Sequence, residues 1–459
     1  MSKTKTILFR ADSSSKIGTG HIMRDLVLAQ KYAKKGAKII FATQKLQGNI
    51  NHRIQEAGFK LLTLKSNSKK ELVKLIKKHG VDLLVIDHYG IDHKKEHYIK
   101  EKTGVKILSF DDTYEKHHCD ILLNHNISAQ KKHYKNLLPK GCEIRCGKKY
   151  TLLRDEFYKE KKKNYPKDPK STTVFLAMGG ADTAQLNIKI LKLLQKFDTI
   201  TVNLVTTSAN RKLAKLQKFV QNKPWIKLHI NASNLAELMA QSDFAIITPS
   251  VILNEVSFMK LPFIAIQTAE NQKEIVKFLE KKKKECLHTF DKEKLSFFIY
   301  LQINKLQLLN FTTLRKKEKQ RILSWRNHPN IRKWMHNSEI ISYQEHKDYI
   351  ESLKKRNDRI YFFVKKQHKA IGVVDLTDID YKKKSAELGI YANPKLKAQG
   401  KILLEAILQY GFLILKLQCI KVTVLKSNQT ALNLYNSFSF TQTKETKEFI
   451  YMELHNENK

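Results

Sequence analysis

Glycine and proline are scarce in this 459-residue chain, at 16 and 8 residues, and tryptophan occurs only 3 times. With no low-complexity segment and no short-period repeat, the chain shows no sign of a fibrous or repeat architecture. The five cysteines, Cys119, Cys142, Cys146, Cys286 and Cys419, are odd in number and scattered, which speaks against a disulfide framework. Cys142 and Cys146 have a loose metal-like spacing but no second pair, so no metal is expected. No apolar run reaches the roughly 18 residues of a membrane span. The opening "MSKTKTILFR" leads straight into a strand, so no secretory signal is read and the cytoplasm is the expected compartment. Acidic residues are also in short supply: 44 Asp and Glu face 85 Lys and Arg, a formal net charge of +41.

The excess lysine runs through every segment, as in "KKKNYPKDPK" and "LEKKKKECL", without aromatic interleaving or zinc-finger spacing. It therefore reads as a solvated basic surface rather than a specific nucleic-acid site. Such a surface steers anionic substrates, nucleotides among them.

At this length two or three domains are expected. Residues 1–165 alternate short apolar runs ("TKTILFRA", "AKIIFAT", "VDLLVIDHYG", "VKILSFDD", "CDILLNHN") with periodic lysine-studded stretches, the pattern of a parallel sheet covered by helices. Residues 166–285 restart it with "TTVFLAMGGADTAQLNIKILKLLQKF". Residues 286–310 read as a linker. Residues 311–459 change order, to a mixed α+β pattern with a hairpin-like pair, "RIYFFVKKQHKAIGVVDLTDID" and "KKSAELGIYANP". The expected fold class is α/β: two Rossmann-like halves in tandem, then an α+β domain.

The strand "TKTILFRA" runs into "DSSSKIGTGHIMRDL", a loop with Gly18 and Gly20 that ends on His21 at a helix start. Backbone amides and the helix dipole converge there, as they do on a phosphate. The third glycine of a dinucleotide fingerprint is missing, and "AKIIFATQ" does not end on the acidic residue that would hold a ribose. His21 at the positive end of a dipole reads as a neutral ring able to accept a proton, or equally as a cap. The second half offers Gly179 and Gly180 with Asp182 and Thr183 as caps, then Ser250, Asn254 and Glu255 at a helix start and Asn271 in the turn "ENQ". A carboxylate placed like Glu255 can accept both ribose hydroxyls. Arg10 and Asp12 at the first strand's end are read as touching sugar or phosphate, and His88, Asp111, Asp112 and Asn126 follow other strands on the same side. His117 and His118 are read as surface histidines.

Through "RADSSSKIGTGHIMRDL", "VIDHYG", "DDTYEKHHCDILLNHN", "AMGGAD" and "SVILNEVSFMKLP", residues 1 to about 285 resemble the nucleotide-sugar hydrolase family of pseudaminic acid synthesis, relatives of the MurG-type GT-B glycosyltransferases. The resemblance implies that His21 acts in removing UDP. It implies attack of water on the anomeric carbon of UDP-2,4-diacetamido-2,4,6-trideoxy-β-L-altropyranose.

Further on, "ELGIYANPKLKAQGKILLEAILQYGF" places a strand, a basic turn and an apolar-periodic helix in succession. The amides around Lys397, Ala398, Gly400, Lys401 and Ile402, with Lys395 nearby, suit a pyrophosphate. "VTVLKSNQTALNLYNSFSF" adds Asn428 at a cap-like position and Tyr435 late in a short helix. Together with "SWRNHPNIRKWM" these segments resemble the GNAT N-acetyltransferases. The resemblance implies acetyl-CoA as donor and Tyr435 as the acid that protonates the leaving thiolate. Ala398 and Ser439 stand where family members commonly have glycine. The paired resemblance implies one chain for consecutive steps, N-acetylation of UDP-4-amino-4,6-dideoxy-N-acetyl-β-L-altrosamine and then hydrolysis, with other enzymes of the same pathway as possible partners. The alternatives are a GT-B glycosyltransferase fused to an N-acetyltransferase of other specificity, and, from charge alone, a basic RNA-associated protein.

Overall fold

A computed structural model describes residues 4–456. The chain divides into two compact units, one ending at Phe290 and the other beginning at Asp291.

The first unit holds two parallel sheets. Strands β1 (Thr6–Ala11), β2 (Lys38–Gln44), β3 (Lys60–Leu64), β4 (Leu83–Asp87), β5 (Lys106–Phe110), β6 (Ile121–Asn124) and β7 (Glu143–Cys146) lie in the order β3-β2-β1-β4-β5-β6-β7. Strands β8 (Thr172–Ala177), β9 (Ile200–Thr206), β10 (Ile226–Ile230), β11 (Phe244–Ile247), β12 (Phe263–Ile266) and β13 (Cys286–Leu287) follow the order β10-β9-β8-β11-β12-β13. Helices cover both faces of a parallel sheet, so its central strands are apolar on both sides. Ile7, Leu8 and Phe9 of β1 are all buried. In each sheet the strand order reverses once, between β1 and β4 and between β8 and β11. At such a reversal the connecting segments leave in opposite directions and open a crevice beyond the carboxyl ends of the strands.

In the second unit, strands β14 (Leu306–Asn310), β15 (Ile360–Lys366), β16 (Lys369–Asp380), β17 (Ser385–Ala392), β18 (Cys419–Leu425), β19 (Thr441–Glu445) and β20 (Phe449–His455) form one mixed sheet, ordered β14-β15-β16-β17-β18-β20-β19. Residues 286–310, expected to be a linker, are structured. Asp291 caps the helix Lys292–Ile303 by accepting from the Lys294 amide at 3.0 Å, and β14 pairs with β15. The cause is apolar content: Leu295, Phe297, Ile299, Tyr300 and Leu301 are all buried.

Left-handed backbone in this chain falls mostly on residues with side chains: non-glycine residues at positive φ outnumber the glycines there. Ala398, at φ 57°, and Ser439, at φ 61°, are two of them.

Gly372 of β16 is a packing requirement. A Cβ there would lie 2.5 Å from Leu403 Cδ1 and 2.7 Å from the Tyr391 carbonyl oxygen. Gly372→Ala is expected to destabilise the second unit by about 1–3 kcal/mol, the usual cost of overpacking. Urea unfolding followed by Trp fluorescence checks this, since the three tryptophans, Trp225, Trp325 and Trp334, include two in that unit.

Candidate active sites

In the first unit, the helix Gly20–Ala33 starts beyond the end of β1, and Asp87 closes the adjacent strand β4. The reversal between these strands therefore brings His21 to Asp87, with His21 Nδ1 2.6 Å from Asp87 Oδ1. With Nδ1–H donated to the carboxylate, the Nε2 lone pair is left as the ring's proton acceptor. Arg24, one turn along the same helix face, donates from Nε and Nη2 to both oxygens of Asp87 and from Nη1 to Asp112 Oδ2 at 3.2 Å. Burial alone would raise the Asp87 pKa, but the Arg24 charge and then His21 hold it well below the ordinary carboxylate range. Asp25 behaves oppositely: burial first, and the Asp87 charge next, push its carboxyl well above that range. His125 is pushed down to about 3 by burial and by Arg24, and is neutral there.

Tyr89 meets the His21 ring edge-on, with centroids 5.1 Å apart, and donates its hydroxyl to Asp112 Oδ1 at 2.9 Å. Asn271, from the second half, lies beside that hydroxyl. A Cβ on Gly20 would lie 3.6 Å from Val251 Cγ2, so the loop ending on His21 sits against the start of the helix Val251–Met259. The second reversal gathers the nucleotide-type groups. Gly179 has φ 84° and lies close to Thr248, while the Gly180 carbonyl accepts from the hydroxyls of Thr206 and Thr207, each at 3.0 Å. Asp182 accepts from the Leu186 and Asn187 amides where the helix Asn187–Leu194 begins, although Leu186, not Asp182, is that helix's N-cap. Ser250 precedes the helix Val251–Met259 without capping it by its side chain. Glu255, on that helix, lies 3.5 Å from Arg154 Nη2, and burial pushes its carboxyl up to about 7.

Several expected ligand contacts are internal. Arg10 is 0% and Asp12 1% exposed. The two form a two-pronged ion pair, Arg10 also donates to the Ala11 and Ala42 carbonyls and to Asn67, and Asp12 accepts from the Gln44 amide. Their hydrogen-bonding capacity stitches β1 to β2 instead of facing the cleft. His88 uses both ring nitrogens on Asp12 and the Gly90 amide. Asp111 accepts from the Thr113 and Tyr114 amides and fixes a turn. Asn254 is sealed and accepts from the Ile127 amide at 3.2 Å, which ties the two halves together. Asn126 is buried too. His117 is not a surface residue: its Nδ1 lies 2.9 Å from Oε1 of the fully buried Glu96. Arg24, Asp87, Tyr89 and His125 were not singled out from sequence. The signal for Arg24 was its i+3 spacing from His21, which puts both on one helix face.

In the second unit, β17 and β18 pair in parallel through three positions only: Ser385, Ala386 and Glu387 opposite Cys419, Ile420 and Lys421. From Leu388 to Ala392 the strands part, while β18 stays paired to β20 along its length. The split opens toward the loop before the helix Gly400–Gln409, which bears exposed Lys395, Lys397, Ala398 and Lys401. No side chain caps that helix, so the Gly400, Lys401 and Ile402 amides are free to meet a diphosphate. The strand gap and these uncapped amides fit acetyl-CoA. Asn428 is the N-cap of the helix Gln429–Asn436, accepting from the Ala431 amide at 3.2 Å. Tyr435 on that helix is buried, and burial, with Asp375 and Glu387 adding to it, raises its pKa and keeps the phenol protonated. Among the described residues one trio, Cys419, Glu453 and His455, has the composition of a metal site, with ligand atoms within 4.8 Å of one another. No helix of the described residues is long and apolar enough to cross a membrane.

Two predictions follow from these networks. Asp87→Ala leaves the buried Arg24 guanidinium without its main partner and is expected to cost about 3–5 kcal/mol in chemical denaturation. His117 has its pKa raised above 6.5: burial opposes the charge, but the Glu96 hydrogen bond and charge outweigh it. The stability it contributes is complete below the unfolded-state value and is lost as pH rises through the folded-state value. The melting-temperature gap between the wild type and His117→Gln should therefore shrink from pH 6 to pH 9.

Comparison with known proteins agrees with both geometries. Residues 312–456 match the acetyltransferase (GNAT) domain family. The chain is 45% identical over 276 residues to the UDP-2,4-diacetamido-2,4,6-trideoxy-beta-L-altropyranose hydrolase of Campylobacter jejuni, covering 60% of this chain and 96% of that protein. It is 39% identical over 147 residues to acetyltransferase PseH of Campylobacter jejuni, covering 32% of this chain and 92% of that protein. The crystal structure of Campylobacter jejuni N-acetyltransferase PseH in complex with acetyl coenzyme A superposes on 33% of this chain and 99% of that one, at 36% identity and a TM-score of 0.29. The chain thus belongs both to the family of this nucleotide-sugar hydrolase and to that of the GNAT acetyltransferases.

Proposed function

We propose that the chain is a bifunctional enzyme of pseudaminic acid synthesis. Its second unit transfers an acetyl group from acetyl-CoA to the 4-amino group of UDP-4-amino-4,6-dideoxy-N-acetyl-β-L-altrosamine. Its first unit hydrolyses the resulting UDP-2,4-diacetamido-2,4,6-trideoxy-β-L-altropyranose to UDP and the free sugar. The observation that carries this reading is the presence in one chain of near-complete counterparts of both relatives.

In the hydrolytic site His21 Nε2 takes a proton from water as its oxygen bonds to the anomeric carbon, and the bond to UDP breaks. Asp87 holds the ring in the tautomer this needs and stabilises the imidazolium that forms. The diphosphate is placed over Gly179, Gly180 and the first amides of the helix Val251–Met259, which no side chain caps, and the ribose against Glu255. Tyr89, Asp112 and Asn271 line the sugar side. In the acetylating site acetyl-CoA supplies an activated acyl group. The amides of Gly400, Lys401 and Ile402 hold its diphosphate, and the Tyr435 hydroxyl donates a proton to the departing sulfur. Acetyl-CoA and nucleotide sugars are cytoplasmic metabolites, so we place both reactions there.

Incubation with the 4-amino nucleotide sugar, with and without acetyl-CoA, tests the reading by mass spectrometry: CoA and UDP should both appear, and UDP only when acetyl-CoA is present. His21→Ala should lower UDP release at least about 100-fold with CoA release unchanged, since a positioned base contributes about 10²–10⁴. Tyr435→Phe should lower CoA release about tenfold or more, and with it UDP release from the 4-amino sugar, while acetyl-CoA affinity stays put. A His21→Ala enzyme that still releases UDP at the wild-type rate would leave His21 a structural residue.

A further inference from the structure

Transfer of an acetyl group to an amine needs a base as well as the acid Tyr435, and the split between β17 and β18 has one beside it. Asp375 of β16 is paired directly with Gly389 of β17. Gly389 lies beyond Glu387, the last residue of β17 that pairs with β18, so this position borders the opening. The two side-chain directions of a strand alternate, and paired residues share a face. Asp375 therefore shares its face with Tyr361, Glu387 and Tyr391, away from the face of Gly372 and Leu388. A Cβ added at Gly389 would sit 2.6 Å from both carboxylate oxygens, so the carboxyl group occupies the space that this glycine leaves open.

Asp375 shares with the fully buried Asp25 a carboxyl that accepts no hydrogen bond, but Asp25 is sealed inside the first unit whereas Asp375 borders the opening of the second. Asp12, Asp87 and Asp182 are each held by hydrogen bonds from arginine, histidine or backbone amides. Asp375 accepts none from the described residues, although its side chain is only partly accessible. A carboxylate kept partly enclosed without a partner is costly unless a ligand uses it.

We propose that Asp375 is the general base of the acetyltransferase site, accepting the proton that the sugar's 4-amino group loses as its nitrogen bonds to the acyl carbon. This rests on the acetyltransferase reading given above. As the C–N bond forms, one N–H proton passes to Asp375. As the C–S bond breaks, the electron pair leaves with sulfur and Tyr435 gives that sulfur a proton. Asp375 then loses its proton to solvent and Tyr435 regains one, so the cycle closes with amide and free CoA thiol and no net proton released.

The surroundings tune the carboxyl for this task. Burial, opposed by Arg359 and reinforced by Glu387, pushes it up to about 7, where a base both accepts and releases protons readily. Arg359, just before β15, and Tyr361 of β15 face it, and from β17 Glu387 and Tyr391. Tyr435 approaches from its helix, and the Asp375 charge helps to keep that phenol protonated. Tyr349 hydrogen-bonds Tyr361 at 2.8 Å, and Arg326 lies near Tyr391. A single carboxylate thus serves as acceptor of one proton and as a brake on loss of the other.

The experiment uses the full chain, the 4-amino nucleotide sugar and acetyl-CoA. In Asp375→Asn, kcat/KM for CoA release should fall at least about 100-fold at pH 7.5, with the acetyl-CoA Kd measured without the sugar within twofold of wild type. In Glu387→Gln, loss of the neighbouring negative charge should move the acidic limb of the kcat/KM profile to lower pH. Carbon-13 NMR of the free protein should show the Asp375 carboxyl titrating near 7. An Asp375→Asn enzyme within threefold of wild type, or a carboxyl titrating below 5, overturns the assignment. A wild-type chain that releases no CoA with this amine overturns the acceptor reading instead, and the NMR titration still decides whether Asp375 is a base near neutrality.

Discussion

The buried contact between Arg24 and Asp87 is the constraint on which the N-terminal site depends. The guanidinium spans both carboxylate oxygens, and the same carboxylate takes the His21 ring. Without the arginine, burial would push the pKa of so deeply enclosed a carboxyl upward, as it does for the adjacent Asp25, and weaken its pull on the histidine. The pair thus pulls the two neighbouring carboxyls in opposite directions. It also reaches Asp112, and through Asp112 the Tyr89 hydroxyl, so one side chain positions groups on three connecting segments.

Both reaction centres arise where a sheet is interrupted. In the parallel sheets the interruption is topological: connections leave in opposite directions, and side chains at the strand ends converge on the gap. In the mixed sheet it is physical, since two neighbours bond for three positions and then part. Only in the mixed sheet are backbone groups released from the ladder; β1 and β4 stay paired to Ala11 and Asp87, and there the side chains and loops beyond the strand ends face the crevice.

Much of this was legible in the sequence. The alternation of apolar runs and periodic helices gave the parallel halves, and the loop ending on His21 and the turn around Gly400 each lead into the start of a helix. Choosing among neighbouring polar residues at a strand end was harder. In "VIDHYG" attention fell on His88, whereas Asp87 faces His21 and His88 pins a loop. Arg10 and Asp12 looked like phosphate contacts because a charged pair after an apolar strand usually faces a ligand, but here the two neutralise each other inside. Asp375 carried no motif at all: within "VVDLTDID" its meaning depends on a cross-strand glycine and on where a neighbouring strand departs. The segment 286–310 reads as a linker by its lysines, whereas its aromatic and aliphatic residues bury it.

The shortage of glycine reaches the backbone. Left-handed positions in this chain are filled by lysine, asparagine and other residues with a Cβ, among them Lys260, Lys305, Lys384 and Lys416. Each such position holds roughly 1 kcal/mol or more of steric cost that glycine would not incur. The cores, by contrast, are filled with buried apolar side chains. The untapped capacity of this protein for thermal hardening therefore lies at its turns and helix ends, on the exposed rim where composition has drifted furthest from what the backbone prefers.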